Sequence, residues 1–371
     1  MQRYVKMWYA PNKNTIYMCE TCVLEAFCLP LHGKIHYLAR EMAQEKILIT
    51  GASGFIGSFI VEGALARGME VWAAVRDTSS LKYLQDSRIK RVNLDFGDCQ
   101  QMTDALKGHE YDYVVHAAGL TKALHDKSFF DVNTTGTKNL VKALEATSPS
   151  MKRLVFISSL SVFGPVRERM PYQEIRNSDT PQPNTAYAKS KLEAEQWIEK
   201  NAEIPYTILR PTGVYGPREK DYMMMVDSIR RGIDVAVGYK QQDLTFVYVR
   251  DVVEAVFLSM KSAKSEGKAY FLTDGEVYSS RTFSDLIIKE LGKHKVLRLT
   301  LPVWVLRLVC ATNSLLSHIT GRLSTLNNDH FNIMKQRNWQ CDIRPAKEDF
   351  AYCPQWKLHD GVREMLKQET R

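Results

Sequence analysis

Thr50-Gly51-Ala52-Ser53-Gly54-Phe55-Ile56-Gly57 stands directly behind the apolar run Ile47-Leu48-Ile49 and ahead of Ile60, Val61, Ala64 and Leu65, which recur at helical spacing. Three glycines in such a loop serve different needs: a tight turn, close approach of backbone to a pyrophosphate, and close packing of the helix on the strand. The start of the helix supplies free N–H groups and the positive end of its dipole to phosphate oxygens. A glycine triplet alone carries little information. Set between a strand and a helix at the head of an alternating series, it predicts a dinucleotide site rather than a plain turn. Gly51, Ser53, Gly54, Phe55, Ile56 and Gly57 are its candidate residues.

The alternating series continues through Val71-Trp72-Ala73-Ala74-Val75, Tyr113-Val114-Val115, Leu154-Val155-Phe156-Ile157 and Thr207-Ile208-Leu209, with helical segments between. Continuous apolar strands mean burial on both faces, and intervening helices mean right-handed parallel crossovers. The expected fold is α/β, a doubly wound parallel Rossmann sheet with a smaller C-terminal α/β substrate-binding region. Residues 42–215 are read as the dinucleotide-binding domain. Residues 216–371 are read mainly as the substrate-binding region, with some segments returning to the sheet. Residues 1–41 show neither a strand nor a helix period and no cleavable signal pattern, and are expected to be a poorly ordered extension. Cys19-x-x-Cys22 followed by His32-x-x-x-His36 has a gap too short for the usual zinc-finger spacing, so no metal is assigned.

With 44% hydrophobic and 25% charged residues, the 371-residue chain is an ordinary globular protein large enough for a sizeable core. Its net charge of +8 is spread among interleaved acids and bases, with no basic stripe, which excludes nucleic acid as the expected partner. Seven irregularly spaced cysteines read as reduced thiols in a cytoplasm rather than a disulfide framework. The most apolar late stretch, Leu301 to Ala311, is interrupted by Pro302 and Arg307 and is too short to cross a bilayer. Pro302 suits a helix start, after which Val303, Leu306, Val309 and Cys310 would share a face and leave Arg307 on another. That helix either packs on the core, walls a greasy pocket or rests peripherally on a membrane.

At the end of the second strand, Val75-Arg76-Asp77 places a guanidinium where a 2′-phosphate would lie, with Lys82 nearby. This favours NADP(H). NAD(H) remains open if Asp77 takes the ribose and Arg76 is merely solvated. Asp95 would sit near the adenine edge, and the small residues Ala117, Ala118 and Gly119 would let the cofactor lie against backbone. Ser159 ends the fifth strand, where ligands of open α/β sheets gather. Tyr187 and Lys191, four residues apart, share one helix face. An ammonium beside a phenol would lower its pKa toward working pH and make the tyrosine a usable acid or base, while Ser159 hydrogen-bonds the reacting oxygen.

From Met42 onward these motifs resemble the extended short-chain dehydrogenase/reductase superfamily, which includes the NAD-dependent epimerases and dehydratases. The resemblance puts the family's glycine motif on Gly51, Gly54 and Gly57, its catalytic serine on Ser159, its Tyr-x-x-x-Lys on Tyr187 and Lys191, and its central-helix asparagine on Asn133. It implies that Lys191 also bonds the nicotinamide ribose, that Asn133 holds the active-site helix, and that Pro211 adjoins the cofactor. Two later motifs, Leu209-Arg210-Pro211-Thr212-Gly213-Val214-Tyr215-Gly216-Pro217 and Leu244-Thr245-Phe246-Val247-Tyr248, look more like the 3β-hydroxysteroid dehydrogenase and dihydroflavonol reductase branches. Sugar-nucleotide epimerases usually carry Asn at the position of Gly213 and Arg-Asp at Leu244-Thr245.

The expected activity is therefore hydride transfer between a nicotinamide and a secondary alcohol or ketone of an apolar, steroid-, flavonoid- or isoprenoid-like molecule. A sugar-nucleotide epimerase or dehydratase is the alternative. A non-catalytic dinucleotide-binding protein is a third reading, opposed by the intact Ser159, Tyr187 and Lys191. A small molecule is the expected partner, with a homodimer left open.

Overall fold

The structure is a computed structural model that describes residues 4–7, 16–19, 44–320 and 328–369. It divides into two compact units, Met1–Glu45 and Lys46–Arg371. In the first, Tyr4–Met7 and Ile16–Cys19 pair as an antiparallel hairpin, a regular element that the sequence reading of residues 1–41 did not anticipate. Cys22, His32 and His36 of the weighed zinc pattern lie outside the described residues.

The second unit is built on seven parallel strands: β1 (Lys46–Thr50), β2 (Glu70–Val75), β3 (Lys90–Asn93), β4 (Tyr113–His116), β5 (Arg153–Ile157), β6 (Tyr206–Pro211) and, far along the chain, Lys268–Leu272. Their spatial order is Lys268–Leu272, β6, β5, β4, β1, β2, β3, so the chain winds outward from β1 in one direction and from β4 in the other. Ile49 stands opposite Ala73 on one side and Val115 on the other. All four residues of β4 and all five of β5 are buried, as their unbroken apolar runs require. Helices α1 (Phe55–Ala66), α2 (Gly136–Thr147), α3 (Ala186–Asn201), α4 (Lys220–Arg230) and α5 (Val249–Lys261) supply crossovers and cover. Two apolar clusters occupy the two faces of the sheet, one holding Ile47, Ile49 and Val253, the other Leu48, Leu140 and Ile208.

Two short parallel pairs lie outside the main sheet: β7 (Gly213–Tyr215) with β9 (Phe246–Tyr248), and β8 (Ile233–Val237) with β11 (Leu297–Leu301). Lys268–Leu272, which pairs with β6, is β10 in this order. After Pro302 the chain enters α6 (Val303–Thr320). Of the four residues expected to share one face, Leu306 and Cys310 are buried, one turn apart, and Val303 and Val309 are exposed. Among the described side chains of residues 303–314, Leu306 and Cys310 form a buried i, i+4 ridge, narrower than the apolar stripe in the sequence.

Candidate active site

The C-terminal ends of β1 and β4 part at the point where strand order reverses, and a groove of about 370 Å³ opens there. Gly51, Ser53, Gly54, Arg76, Asp95, Ala117, Ala118 and Gly119 line it, as their sequence positions suggest. Gly51 adopts φ +68°, and a Cβ on it would fall 2.7 Å from the Ala117 carbonyl and the Ala118 nitrogen, so only glycine lets the loop turn and lie against β4. A Cβ on Gly57 would meet the Gly51 oxygen at 2.1 Å, which fixes how closely α1 can pack on the loop. Gly54 caps α1 with no side chain over the N–H groups. Gly57 is buried beneath the loop, while Phe55 and Ile56 lean on the core rather than into the groove.

Arg76 is exposed at the groove edge and forms no ion pair with a described residue. The competing carboxylate, Asp77, instead accepts a hydrogen bond from Asn93 Nδ2 at 2.6 Å. Two further sequence-predicted residues lie outside the groove lining. Lys82 borders a separate depression with Pro217 and Arg218, its ammonium 5.2 Å from the centre of the Tyr83 ring. Pro211 is buried at the end of β6, in register with Leu272 of the neighbouring strand. Val75 of the Val75-Arg76-Asp77 motif also lines the groove, with Phe96, Ser79 and Val132, which the sequence reading did not single out. The glycine loop and the uncovered helix start fit the pyrophosphate of a dinucleotide.

Helix α3 brings Tyr187 and Lys191 under the end of β5, where Ser159 stands. Thr185 caps α3 by accepting from Ala188 N, and so sets where the helix begins. Tyr187 is hydrogen-bonded to Ser159, whose hydroxyl oxygen also accepts from Ser161 Oγ at 2.9 Å and Ser161 N at 3.1 Å. Burial pushes the Tyr187 phenol up to about 12, with the Ser159 bond pulling the other way. Lys191 Nζ donates to the Ile157 carbonyl at 2.9 Å, sits over the Phe156 ring, and lies 3.1 Å from where a Cβ on Gly119 would stand. Burial lowers its pKa to about 8, against the pull of Glu195. The expectation that Lys191 depresses the tyrosine pKa thus needs correcting. Its ammonium is spent on the Ile157 carbonyl at the groove, and burial governs the phenol.

Asn133 sits in a wide π-helical turn, Phe130–Thr135, that precedes α2. Such turns often mark functional sites. Its amide donates to Ser190 Oγ and the Leu120 carbonyl, both at 3.0 Å, and its Oδ1 accepts from Leu120 N at 2.7 Å. Ser190 Oγ in turn donates to the Tyr187 carbonyl at 2.7 Å, so one asparagine ties α3 to the loop after β4.

A second cavity, about 360 Å³, opens on Ser159 and Tyr187. Met225, Val235, Val237, Phe246, Ile333 and Trp339 are among its lining residues, and none of the described lining residues is charged. Gly213, Leu244 and Thr245, the positions that depart from the sugar-nucleotide pattern, all line it. A Cβ on Gly213 would lie 2.5 Å from the Tyr222 hydroxyl, so the site is shaped around the absent side chain. Three of its polar side chains are engaged by backbone carbonyls: Thr212 donates to the Thr245 carbonyl at 2.9 Å, Thr245 to the Trp339 carbonyl at 2.6 Å, and Gln242 to the Met334 and Gln336 carbonyls.

Among known proteins, UDP-glucose 4-epimerase of Vibrio cholerae is 26% identical over 336 residues, covering 86% of this chain and 94% of its own. The 3 beta-hydroxysteroid dehydrogenase/Delta 5-->4-isomerase of Vaccinia virus (strain Copenhagen) is 27% identical over 338 residues, covering 82% and 93%. The fold matches that of UDP-glucuronic acid 4-epimerase from Bacillus cereus, solved in complex with NAD, at a TM-score of 0.68 and 21% identity over 88% of this chain and all of that one. The profile of the NAD dependent epimerase/dehydratase family matches residues 47–272, more than half of the sequence. With the strand order, the glycine loop and that match in agreement, the chain belongs to the NAD dependent epimerase/dehydratase family, as an extended short-chain dehydrogenase/reductase enzyme.

Proposed function

We propose that the protein is an NADP(H)-dependent reductase/dehydrogenase of an apolar ketone or secondary alcohol, in the manner of the 3β-hydroxysteroid and dihydroflavonol branches. The observation that carries this reading is the uncharged cavity beside Ser159 and Tyr187. A sugar nucleotide would bury a diphosphate there with no Arg or Lys among the described lining residues to meet it, and burying an uncompensated charge is costly. A fused-ring or isoprenoid body, by contrast, gains from every apolar wall it covers. The relatives named above divide between the two chemistries at 26% and 27% identity, and the cavity supports the apolar substrate.

The bound nicotinamide supplies or accepts the hydride. Ser159 and the Tyr187 phenol hold the carbonyl oxygen, and Tyr187, protonated at neutral pH, gives it a proton as the carbon receives the hydride; the alcohol runs the same steps backward. Lys191, between Gly119 and α3, is suited to hold the nicotinamide ribose. Arg76 is suited to grip a 2′-phosphate through paired hydrogen bonds, and the engagement of Asp77 by Asn93 supports NADP(H) over NAD(H). The free thiols Cys99, Cys310, Cys341 and Cys353 support a reducing, cytoplasmic setting.

Turnover of steroid, flavonoid and isoprenoid ketones, followed by NADPH absorbance, tests the reading. Net NADPH consumption is expected, and interconversion of sugar nucleotides without net consumption would overturn it. Tyr187→Phe is expected to cut kcat by about a hundredfold or more while leaving NADPH affinity unchanged, because it removes only the positioned proton. Arg76→Ala is expected to weaken NADPH by roughly tenfold, the worth of a charge-assisted pair, and to leave NADH binding unaltered. Equal loss for both cofactors would reduce Arg76 to a surface residue.

A further inference from the structure

The wall of the apolar cavity continues onto the outside of the molecule. Val235 and Val237 line the cavity and belong to β8, whose register with β11 sets Ile233 opposite Leu297 and Val235 opposite Leu299. Alternation puts these side chains on one face. That face meets solvent: Ile233, Val235 and Leu299 are exposed, and Leu297 is 60% exposed. The opposite face carries Asp234, buried and paired with Arg281 at 2.6 Å. At the end of the ladder Val303 of α6 packs beside Gly238, and the next turn presents Trp304, 70% exposed, and Leu308, 59% exposed. Single exposed apolar residues are ordinary, but a cross-strand ladder joined to a helix face and to a cavity wall marks an interaction surface.

The charge around this surface says what it meets. Residues 292–312 hold Lys293, Lys295, Arg298 and Arg307 and no Asp or Glu, in a chain with 50 basic and 42 acidic residues overall. Residues 228–242 hold Arg230, Arg231 and Lys240 against the single buried Asp234. Arg231, Lys240, Lys295 and Arg307 are exposed and form no ion pair with a described residue. A second copy docked face to face would oppose these cations to themselves, since an isologous contact pairs a patch with its own image. An anionic, greasy layer complements both features at once.

We propose that this face rests on an anionic lipid bilayer, with the cations among the headgroups and Trp304, Leu308 and the β8–β11 ladder in the upper acyl region, so that the cavity opens toward the membrane. No described helix is long and apolar enough to cross a membrane, so the contact is in-plane. The purpose of such docking, collecting a lipid-like substrate, rests on the proposed function; its test does not.

Flotation of the purified full chain with phosphatidylglycerol–phosphatidylcholine vesicles, compared with pure phosphatidylcholine, reads the contact directly. The chain is expected to float with the anionic vesicles and to be released by salt. Trp304→Ala/Leu308→Ser and Leu297→Ser/Leu299→Ser are each expected to lower vesicle affinity by about tenfold or more, from the apolar area withdrawn. Arg231→Glu/Lys295→Glu is expected to abolish the anionic preference. Unchanged melting and unchanged turnover of a short water-soluble ketone show that the variants are folded. Absence of flotation overturns the proposal, as does equal binding by all three variants. Light scattering that finds a dimer dissolved by Trp304→Ala/Leu308→Ser also overturns it, in favour of a second copy as the occupant. A chain that floats yet reduces no apolar ketone refutes the substrate reading and leaves the docking intact.

Discussion

His116 Nε2 lies 2.8 Å from Thr137 Oγ1, and that hydroxyl already donates to the Asn133 carbonyl at 2.6 Å, so the ring nitrogen is the donor. Nδ1 is then an acceptor, and Thr50 Oγ1, 2.7 Å away, donates to it while accepting from Ala118 N at 3.1 Å. One directed chain thus runs from the groove backbone at Ala118, through the end of β1, across a neutral imidazole, to the π-helical turn that carries Asn133. Phe96 and Phe156 stack on the ring from either side. Burial, with Lys191 adding repulsion, lowers the His116 pKa to about 3. An unfolded histidine takes up its proton near pH 6.5, whereas the folded site refuses it down to about 3. Acid therefore favours the unfolded chain through that window, and nothing is lost above it. Stability is expected to fall by up to ~1.4 kcal/mol per pH unit from this group between about pH 6 and 4. Urea titrations of His116→Gln should show that component of the slope removed; an unchanged slope would mean that the ring takes up a proton in the folded state.

At the scale of elements, α3 is fixed to the sheet by one buried ion pair. Arg210, near the end of β6, meets Glu195 on α3 with three hydrogen bonds of 2.6, 3.0 and 3.1 Å, and its remaining arm donates to Asn177 Oδ1 at 2.8 Å. Glu195 stands one turn beyond Lys191 and two beyond Tyr187, so the pair sets the height of these candidate catalytic residues against β5. Breaking it from one side leaves a charge buried alone. Arg210→Leu is expected to destabilise by about 3–5 kcal/mol, whereas Arg210→Leu/Glu195→Leu should recover most of the loss. Chemical denaturation of the single and double variants checks this, and additive losses would show that the two residues do not act as a pair. The sequence shows Arg210 within a motif and Glu195 on a helical face, but nothing in it says that they meet.

At the scale of the whole molecule, the unit Lys46–Arg371 holds the entire parallel sheet and three apolar clusters of its own. Deleting residues 1–41 is expected to leave melting temperature and activity unchanged, since their described strands pair with each other and not with that sheet; an insoluble or inactive truncated protein would show that the first unit is needed. The sequence by itself determined the parallel sheet, the glycine loop and the Ser159, Tyr187 and Lys191 constellation. Each is a local pattern: strands buried on both faces must be apolar throughout, a loop that turns at φ +68° beneath Ala117 needs glycine at Gly51, and one helix face follows from a spacing of four. Tertiary structure alone decided the rest. It sent Lys82 to the Tyr83 side of the molecule, buried Pro211, committed Asp77 to Asn93, and let burial rather than Lys191 govern the Tyr187 phenol. It also turned the β8–β11 ladder outward and, of Val303, Leu306, Val309 and Cys310, buried only Leu306 and Cys310. Those outcomes depend on what stands opposite a side chain, and residues far apart in the chain supply it.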